Sequence, residues 1–304
     1  MCSYISSPAK TGQILNQYRI KLKKSLGQNF LIDTNIAKKI VFFSDIKPGD
    51  VVLEVGCGIG SLTEIILPAV KKVICIEIDK FLLEAFKDIF KYEIGEKIEL
   101  IEGDALKLDY YEISSKYKIN KMISNLPYKV AAPLLLKILV GEDSIKDFYI
   151  TIQKDIADRL VSKPRSKNYS SYTVKANFLA SFSICFPISR SCFVPKPFID
   201  SVVIEVKRKS IVDYLKELFC NESGANISNS NKKILITNFF NFIDSCFLHR
   251  RKKLINSLVK SNSKYSCRVN LIIDLLSKIG KDRNARAEEL NLEDFIFLYR
   301  NVRY

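Results

Sequence analysis

The chain has 304 residues, 47% of them hydrophobic, enough for one large domain or two unequal ones with an ample core. Its 48 Lys and Arg against 33 Asp and Glu leave a formal charge of +15, which points to a polyanionic partner, nucleic acid before an anionic membrane surface. No apolar stretch reaches the roughly 18 residues needed to span a bilayer, and the N-terminus lacks the apolar core of a signal peptide.

No acidic residue precedes Asp33, whereas Lys10, Arg19, Lys21, Lys23 and Lys24 do. This start reads as a basic arm. Residues 34 to 44 follow as a helix with Ile36, Ile40 and Val41 on one face. "DVVLEVGCGIG" is a continuous apolar strand entering a glycine turn, and "SLTEIILPAV" a helix opened by Ser61. "KVICIEID" is a second strand and residues 80 to 91 a second helix. "IELIEGDAL" and "KMISNLPY" are the third and fourth strands. A helix over about 131 to 140 leads to "DFYITIQ", the fifth. "FSICFPIS" and "SVVIEVKRK" are two further strands able to pair at one edge. Buried strands alternating with helices imply a parallel sheet covered on both faces. After about Arg208 the pattern becomes helical, over 211 to 220, 234 to 260, 268 to 279 and 291 to 301. "NESGANISNSNKK" interrupts it as a polar loop or insertion. The expected organisation is an α/β domain over 1–207 with a basic N-terminal arm, then a small helical domain over 208–304.

The eight cysteines form no CxxC pair. No metal site or redox motif is expected. Most lie inside apolar runs, as free thiols of a reducing compartment do, so a cytoplasmic protein is expected.

"LEVGCGIGSLT" places Gly56, Gly58 and Gly60 between a strand and a helix, where the backbone can turn tightly and approach a ligand. The dinucleotide fingerprint would be GxGxxG; here it is GxGxG. The next strand ends at Glu77, where a carboxylate can accept hydrogen bonds from ribose hydroxyls, and the third ends near Asp104. Glu54, Glu77 and Asp104 together disfavour a phosphate-rich cofactor. They suit S-adenosylmethionine, which has a cationic sulfonium and no phosphate. An ordinary tight turn with solvated acids is the competing reading.

"NLPY" ends the fourth strand at the same edge. The Asn125 side-chain oxygen and a neighbouring backbone carbonyl could accept both N–H groups of an exocyclic amine such as adenine N6. Pro127 restricts Leu126 to extended backbone, and Tyr128 offers a face for a base. A strand-end turn with Tyr as core filler fits those four residues equally.

The ordered set of motifs decides between these readings. "KKSLGQNFLID", "VLEVGCGIGSLT", "IEID", "EGDAL", "ISNLPY", "QKDIADRLVSKPRSKNYSSYTV" and "FVPKPFIDSVVI" resemble, in order and spacing, the small-subunit ribosomal RNA adenine dimethyltransferases. The resemblance runs over most of the chain. It implies a Rossmann-like S-adenosylmethionine-dependent methyltransferase domain with a smaller C-terminal helical domain. It also implies N6,N6-dimethylation of two adjacent adenosines near the 3′ end of small-subunit rRNA, within a pre-assembled subunit. Carried over by motif, Asn29, Leu31, Gly56, Glu77, Asp104 and Asn125 would contact the cofactor. Asn125, Leu126, Pro127 and Tyr128 would hold the target adenine, Phe193 would stack on its other face, and Gln28 and Asn29 would help close the site. Cys57, Lys129 and Ser170 depart from the usual Pro, Asn and Gly.

The basic residues expected on the RNA are Lys23, Lys24 and Arg165, with Arg250, Arg251, Lys252 and Lys253 of "HRRKK" on a helix of the second domain. A bare charge run of that kind is also what a solvated helix face looks like. No membrane or metal partner is expected, and a monomer is. Two alternatives stand beside this reading: a large-subunit rRNA adenine methyltransferase of the antibiotic-resistance type, and an assembly or transcription factor that keeps the fold to bind RNA.

Overall fold

The computed structural model describes residues 4–210, 215, 218, 229–261 and 265–303. Most of the helix expected over 211 to 220, all but residues 215 and 218, and most of the polar stretch after it lie outside the described residues. The chain divides into two compact units, one of Met1–Ala157 with Phe182–Arg208, the other of Asp158–Ser181 with Lys209–Tyr304. The units are therefore not two continuous segments: residues 158–181 belong with the helical part.

In the first unit the strands are β1 (Phe30–Leu31), β2 (Val51–Val55), β3 (Lys72–Glu77), β4 (Ile98–Glu102), β5 (Lys121–Asn125) and β6 (Asp147–Gln153). They are followed by β7 (Ala180–Ile188), β8 (Phe193–Val194) and β9 (Ser201–Arg208). Seven form one sheet in the order β4-β3-β2-β5-β6-β9-β7. Neighbours from β4 to β6 run parallel, and β9 joins β6 antiparallel. β2 is buried at all five positions, as a strand covered on both faces requires. β1 and β8 form a separate small sheet, with Leu31 opposite Phe193.

Short polar side chains start several helices of this unit. Asp33 caps Thr34–Phe43 by accepting the Asn35 and Ile36 N–H groups at 2.9 and 3.1 Å. Asp79 and Asp109 do the same for Lys80–Ile89 and Tyr110–Tyr117, each satisfying donors that the first turn leaves open. At the far end of Ala131–Gly141, the Arg208 guanidinium donates to the Leu139 and Ile138 carbonyls at 2.6 and 3.2 Å.

The basic N-terminal segment is docked on its unit: Pro8–Gln17 is a helix capped by Ser7, with Ile5 and Ile14 in the core and the Ile5 N–H on the Glu64 carboxylate at 2.8 Å. Two local expectations are corrected. Ser61 does not open a helix. Only Thr63–Ile66 is α-helical, its cap position is Leu62, and Pro68 diverts the chain into a 3₁₀ turn because it has no N–H to continue the ladder. In the second unit the expected helix over 234 to 260 is two helices, Asn229–Phe247 and Leu254–Lys260. "HRRKK" lies in the turn between them, closed by the Lys252 N–H on the His249 carbonyl at 2.8 Å. Five consecutive polar residues offer no apolar face to hold a helix.

The second unit has its own aromatic core. Phe178 meets Phe239 with ring centroids 5.1 Å apart, and Phe239 meets Tyr299 at 5.2 Å. Phe178 lies in the helix Ser171–Leu179, which is the physical reason that 158–181 belongs to this unit. Ser170, at the cap of that helix, donates its N–H to the Thr173 hydroxyl at 3.1 Å, and its own hydroxyl lies 3.3 Å from the same oxygen, a contact glycine would lack. The last helix, Leu292–Val302, starts with a reciprocal capping box between Asn291 and Asp294.

Candidate active site

The parallel register brings the carboxyl ends of β2, β3, β4 and β5 to one edge of the sheet, where open α/β sheets bind ligands. Two clefts of about 660 and 620 Å³ open there and share Gly56, Glu77 and Pro127. Asn29, Leu31, Gly56, Glu77, Asn125 and Leu126 line the first. Asp104 lines the second, with Glu77 and Lys129. The six residues expected at a cofactor are thus gathered about two joined clefts. No Lys or Arg among the described residues lines the first.

Gly56 makes that gathering possible. Its φ is +74°, and a Cβ there would sit 3.0 Å from the Pro127 ring. The glycine turn and the NLPY segment are therefore in direct van der Waals contact. Leu126 is anchored to β6 by its N–H on the Thr151 carbonyl at 3.2 Å.

Asn125 is held from one side only. Its Nδ2 donates to the Asn29 carbonyl at 3.1 Å. A carbonyl can only accept, so the amide nitrogen must face it. The oxygen then points elsewhere. Asn125 Oδ1 is buried and has no hydrogen-bond partner among the described residues. A buried acceptor left unpaired costs about 1–3 kcal/mol, and native chains keep few of them.

Glu77 is fixed from both oxygens. Oε2 accepts the Gly58 N–H at 3.0 Å, and Oε1 accepts those of Ile78 and Asp79 at 2.8 and 2.9 Å. Burial pushes its carboxyl up despite these three donors. Glu54, on β2, is pushed up to about 8 by burial, against a hydrogen bond from Thr63 and helped by the nearby Glu77 charge. Glu54 therefore holds its proton near neutral pH, and the carboxyls left to favour a cationic guest are those of Glu77 and Asp104.

Asp79 was not singled out in the sequence. Its Oδ2 accepts from Gln28 Nε2 at 2.8 Å and from Lys23 Nζ at 3.0 Å, while Gln28 Oε1 accepts the Lys23 N–H at 2.7 Å. Burial acts to raise the Asp79 carboxyl, but Lys23, Gln28 and the Phe81 N–H outweigh it and hold it low. The triad straps the entry segment to the start of Lys80–Ile89. The signal was present in "IEID", an acid placed just before a helix, where a cap belongs.

The aromatic pair differs from expectation. The Tyr128 hydroxyl is 2.5 Å from Ser201 Oγ. Its ring meets Phe193 edge-on, with centroids 6.4 Å apart and planes at 69°, and Phe193 is 1% exposed. The two rings do not form a parallel slot as placed. Admitting a base between them requires a ring to turn.

The basic residues fall into two sets. Lys23 is engaged with Asp79; nothing is described of the Lys24 side chain. In the second unit Arg250 pairs with Glu288 at 2.9 Å and donates to the Ser166 carbonyl at 3.1 Å, so it braces the fold. Arg165 pairs with Glu289 at 3.5 Å, and Lys253 donates to Asn284 at 2.6 Å. Arg251 and Lys252 are exposed on the turn. Among the described residues no group of His, Cys, Asp and Glu could hold a metal, and no helix is long and apolar enough to cross a membrane.

Comparison with known proteins adds to this geometry. The family described as ribosomal RNA adenine dimethylase matches residues 19–218. A ribosomal RNA small subunit methyltransferase A from Alkaliphilus oremlandii is 35% identical over 303 residues, covering 98% of each chain. One from Bacillus cytotoxicus is 33% identical, covering 97% of this chain and 96% of its own. Among solved structures, a dimethyladenosine transferase from Plasmodium falciparum superposes with a TM-score of 0.67 at 28% identity, over 88% of this chain and 94% of the other. The 23S rRNA methyltransferase ErmE, at 20% identity and a TM-score of 0.59 over 90% of this chain and all of its own, shares the fold.

Proposed function

Because the chain belongs to the ribosomal RNA adenine dimethylase family, we propose that it dimethylates N6 of two adjacent adenosines near the 3′ end of small-subunit rRNA. The observation that carries this reading is the buried, partnerless Asn125 Oδ1 at the wall of an acidic cleft. S-adenosylmethionine, when bound, supplies an electrophilic methyl on a sulfonium. The residues present fit it: Glu77 and Asp104 suit a cation, and the first cleft offers no cationic partner for a phosphate.

Adenine N6 has two N–H groups and a lone pair spread into the ring, so it is a weak nucleophile. Asn125 Oδ1 accepts one N–H and the Leu126 carbonyl the other. Together they favour a pyramidal nitrogen with its lone pair aimed at the methyl, and they stabilise the charge that develops as the N–C bond forms. The amine proton becomes acidic once the methyl has arrived, so no strong base is needed. Pro127 and Gly56 hold the loop in register with Asn125. Tyr128 takes the flipped base on its ring, with Phe193 turning to meet the other face.

The substrate in this reading is rRNA within a pre-assembled small subunit, met by a monomer in the cytoplasm. Phosphate contacts are assigned to Arg251 and Lys252 first, with Arg165 and Lys253 beside them and Lys23 and Lys24 on the entry segment. Arg250 serves the fold.

The test is transfer of labelled methyl groups to purified small subunits lacking the mark, followed by primer extension. The wild type should label two adjacent adenosines. Asn125→Ala should lose about a hundredfold or more in rate while melting at the wild-type temperature. Labelling of the large subunit instead would turn the assignment to the antibiotic-resistance type. Near-normal transfer by Asn125→Ala would remove the amide as acceptor.

A further inference from the structure

Phe198 is 94% exposed, the most exposed of the large hydrophobic side chains among the described residues. Other outlying aromatics have partners: Phe42, 80% exposed, leans on Phe43, and Lys91 sits over Tyr92, 79% exposed. Phe198 makes no ring contact among the described residues. Its backbone, in contrast, is braced. Arg190 donates its side chain to the Phe198 carbonyl at 3.3 Å and its N–H to Asp200 at 2.9 Å, and the Lys154 N–H holds the Asp200 carbonyl at 2.9 Å. Pro195 and Pro197 stiffen the run before it. An apolar ring is thus held out in water on a rigid turn, with the exposed Arg190 bonded to its carbonyl and the exposed Lys196 two residues before it.

The turn is tied to the reactive loop. Phe198 stands three residues before Ser201, whose hydroxyl meets that of Tyr128 at 2.5 Å. Three residues span at most about 11 Å, a distance of about three nucleotide rises at roughly 3.4 Å each. Taking an adenine out of its stack leaves the next base with a bare face. A flat ring flanked by cations is what such a base stacks on.

We propose that Phe198 is a positioning residue that stacks on a base neighbouring the target adenosine and holds the splayed strand while the adenine occupies the site. The inference rests on the proposed rRNA substrate. It deepens that reading by assigning a specificity contact outside the reacting atoms.

Kinetics on unmethylated small subunits test it, with cofactor affinity measured in parallel by calorimetry. Phe198→Ala should raise KM for the subunit about ten- to a hundredfold, as loss of one base stack does. Its kcat and its affinity for S-adenosylmethionine should stay within about twofold of wild type, because Phe198 lines neither cleft. Phe198→Trp should restore KM, whereas Phe198→Leu, apolar but without a π face, should not. An active wild type with Phe198→Ala unchanged in KM, or Phe198→Leu as effective as Phe198→Trp, would overturn this inference alone. A wild type inactive on the subunit would overturn the functional reading and this contact with it.

Discussion

Asn125 and Glu54 show how the fold sets a single residue's state. The amide is oriented by one backbone carbonyl, and its buried oxygen has no partner among the described residues. Glu54 is fully buried, and its carboxyl is raised to about 8 chiefly by burial. The folded chain therefore keeps a proton on Glu54 that the unfolded chain releases near the ordinary value of about 4.3. That contribution to stability is complete below the unfolded pKa and is lost as pH rises toward about 8. Glu54→Gln keeps a neutral group able to accept from Thr63. Its melting temperature should fall less between pH 5 and 8 than that of wild type, whose stability drops by up to about 1.4 kcal/mol per pH unit from this group. Parallel declines in a calorimetric series at pH 5, 6.5 and 8 would exclude Glu54 as the source.

At the scale of elements, the glycine turn is a packing device as much as a binding one. Gly60 has φ +89°, and a Cβ there would lie 2.2 Å from the Phe90 ring and 3.3 Å from that of Phe86. Those rings stack at 4.6 Å and belong to the core beneath the turn. Gly60→Ala combines left-handed strain with overpacking, each of about 1–3 kcal/mol. Urea unfolding should show a loss of at least about 2 kcal/mol with an unchanged slope. The GxGxG spacing announced a close approach, but not that its third glycine faces the protein's own aromatics instead of a ligand. The motif "HRRKK" illustrates the opposite failure. Its charges were legible and its turn was not: five polar residues permit a break, but the start of the next helix is also tied by Leu254 bonding back to Ala285 at 2.9 Å, thirty-one residues away.

For the whole molecule the governing quantity is the charge of +15. Binding to small subunits should weaken steeply with salt, because cations released from phosphates dominate such affinities. Arg251→Ala and Lys252→Ala should each lower the log–log salt slope by about 0.7–0.9 and leave cofactor affinity unchanged. Filter binding between about 50 and 200 mM salt measures this. A slope that stays the same in the double variant would place the RNA contact elsewhere on the chain.

Local order along the chain carried much of the result. Strand and helix alternation, the acidic strand ends and the NLPY turn depend on neighbours a few residues apart, and so do the solvation and backbone preferences that produce them. That made the parallel sheet, the methyltransferase chemistry and the family legible from residues alone. Long-range packing supplied the rest. The docking of Pro8–Gln17 through Ile5 and Glu64, the Lys23–Gln28–Asp79 strap and the assignment of 158–181 to the helical unit each join segments far apart in the chain. So does the edge-on meeting of Tyr128 and Phe193. No local pattern encodes such pairings. They follow from which buried surfaces and polar groups satisfy one another once the chain has closed.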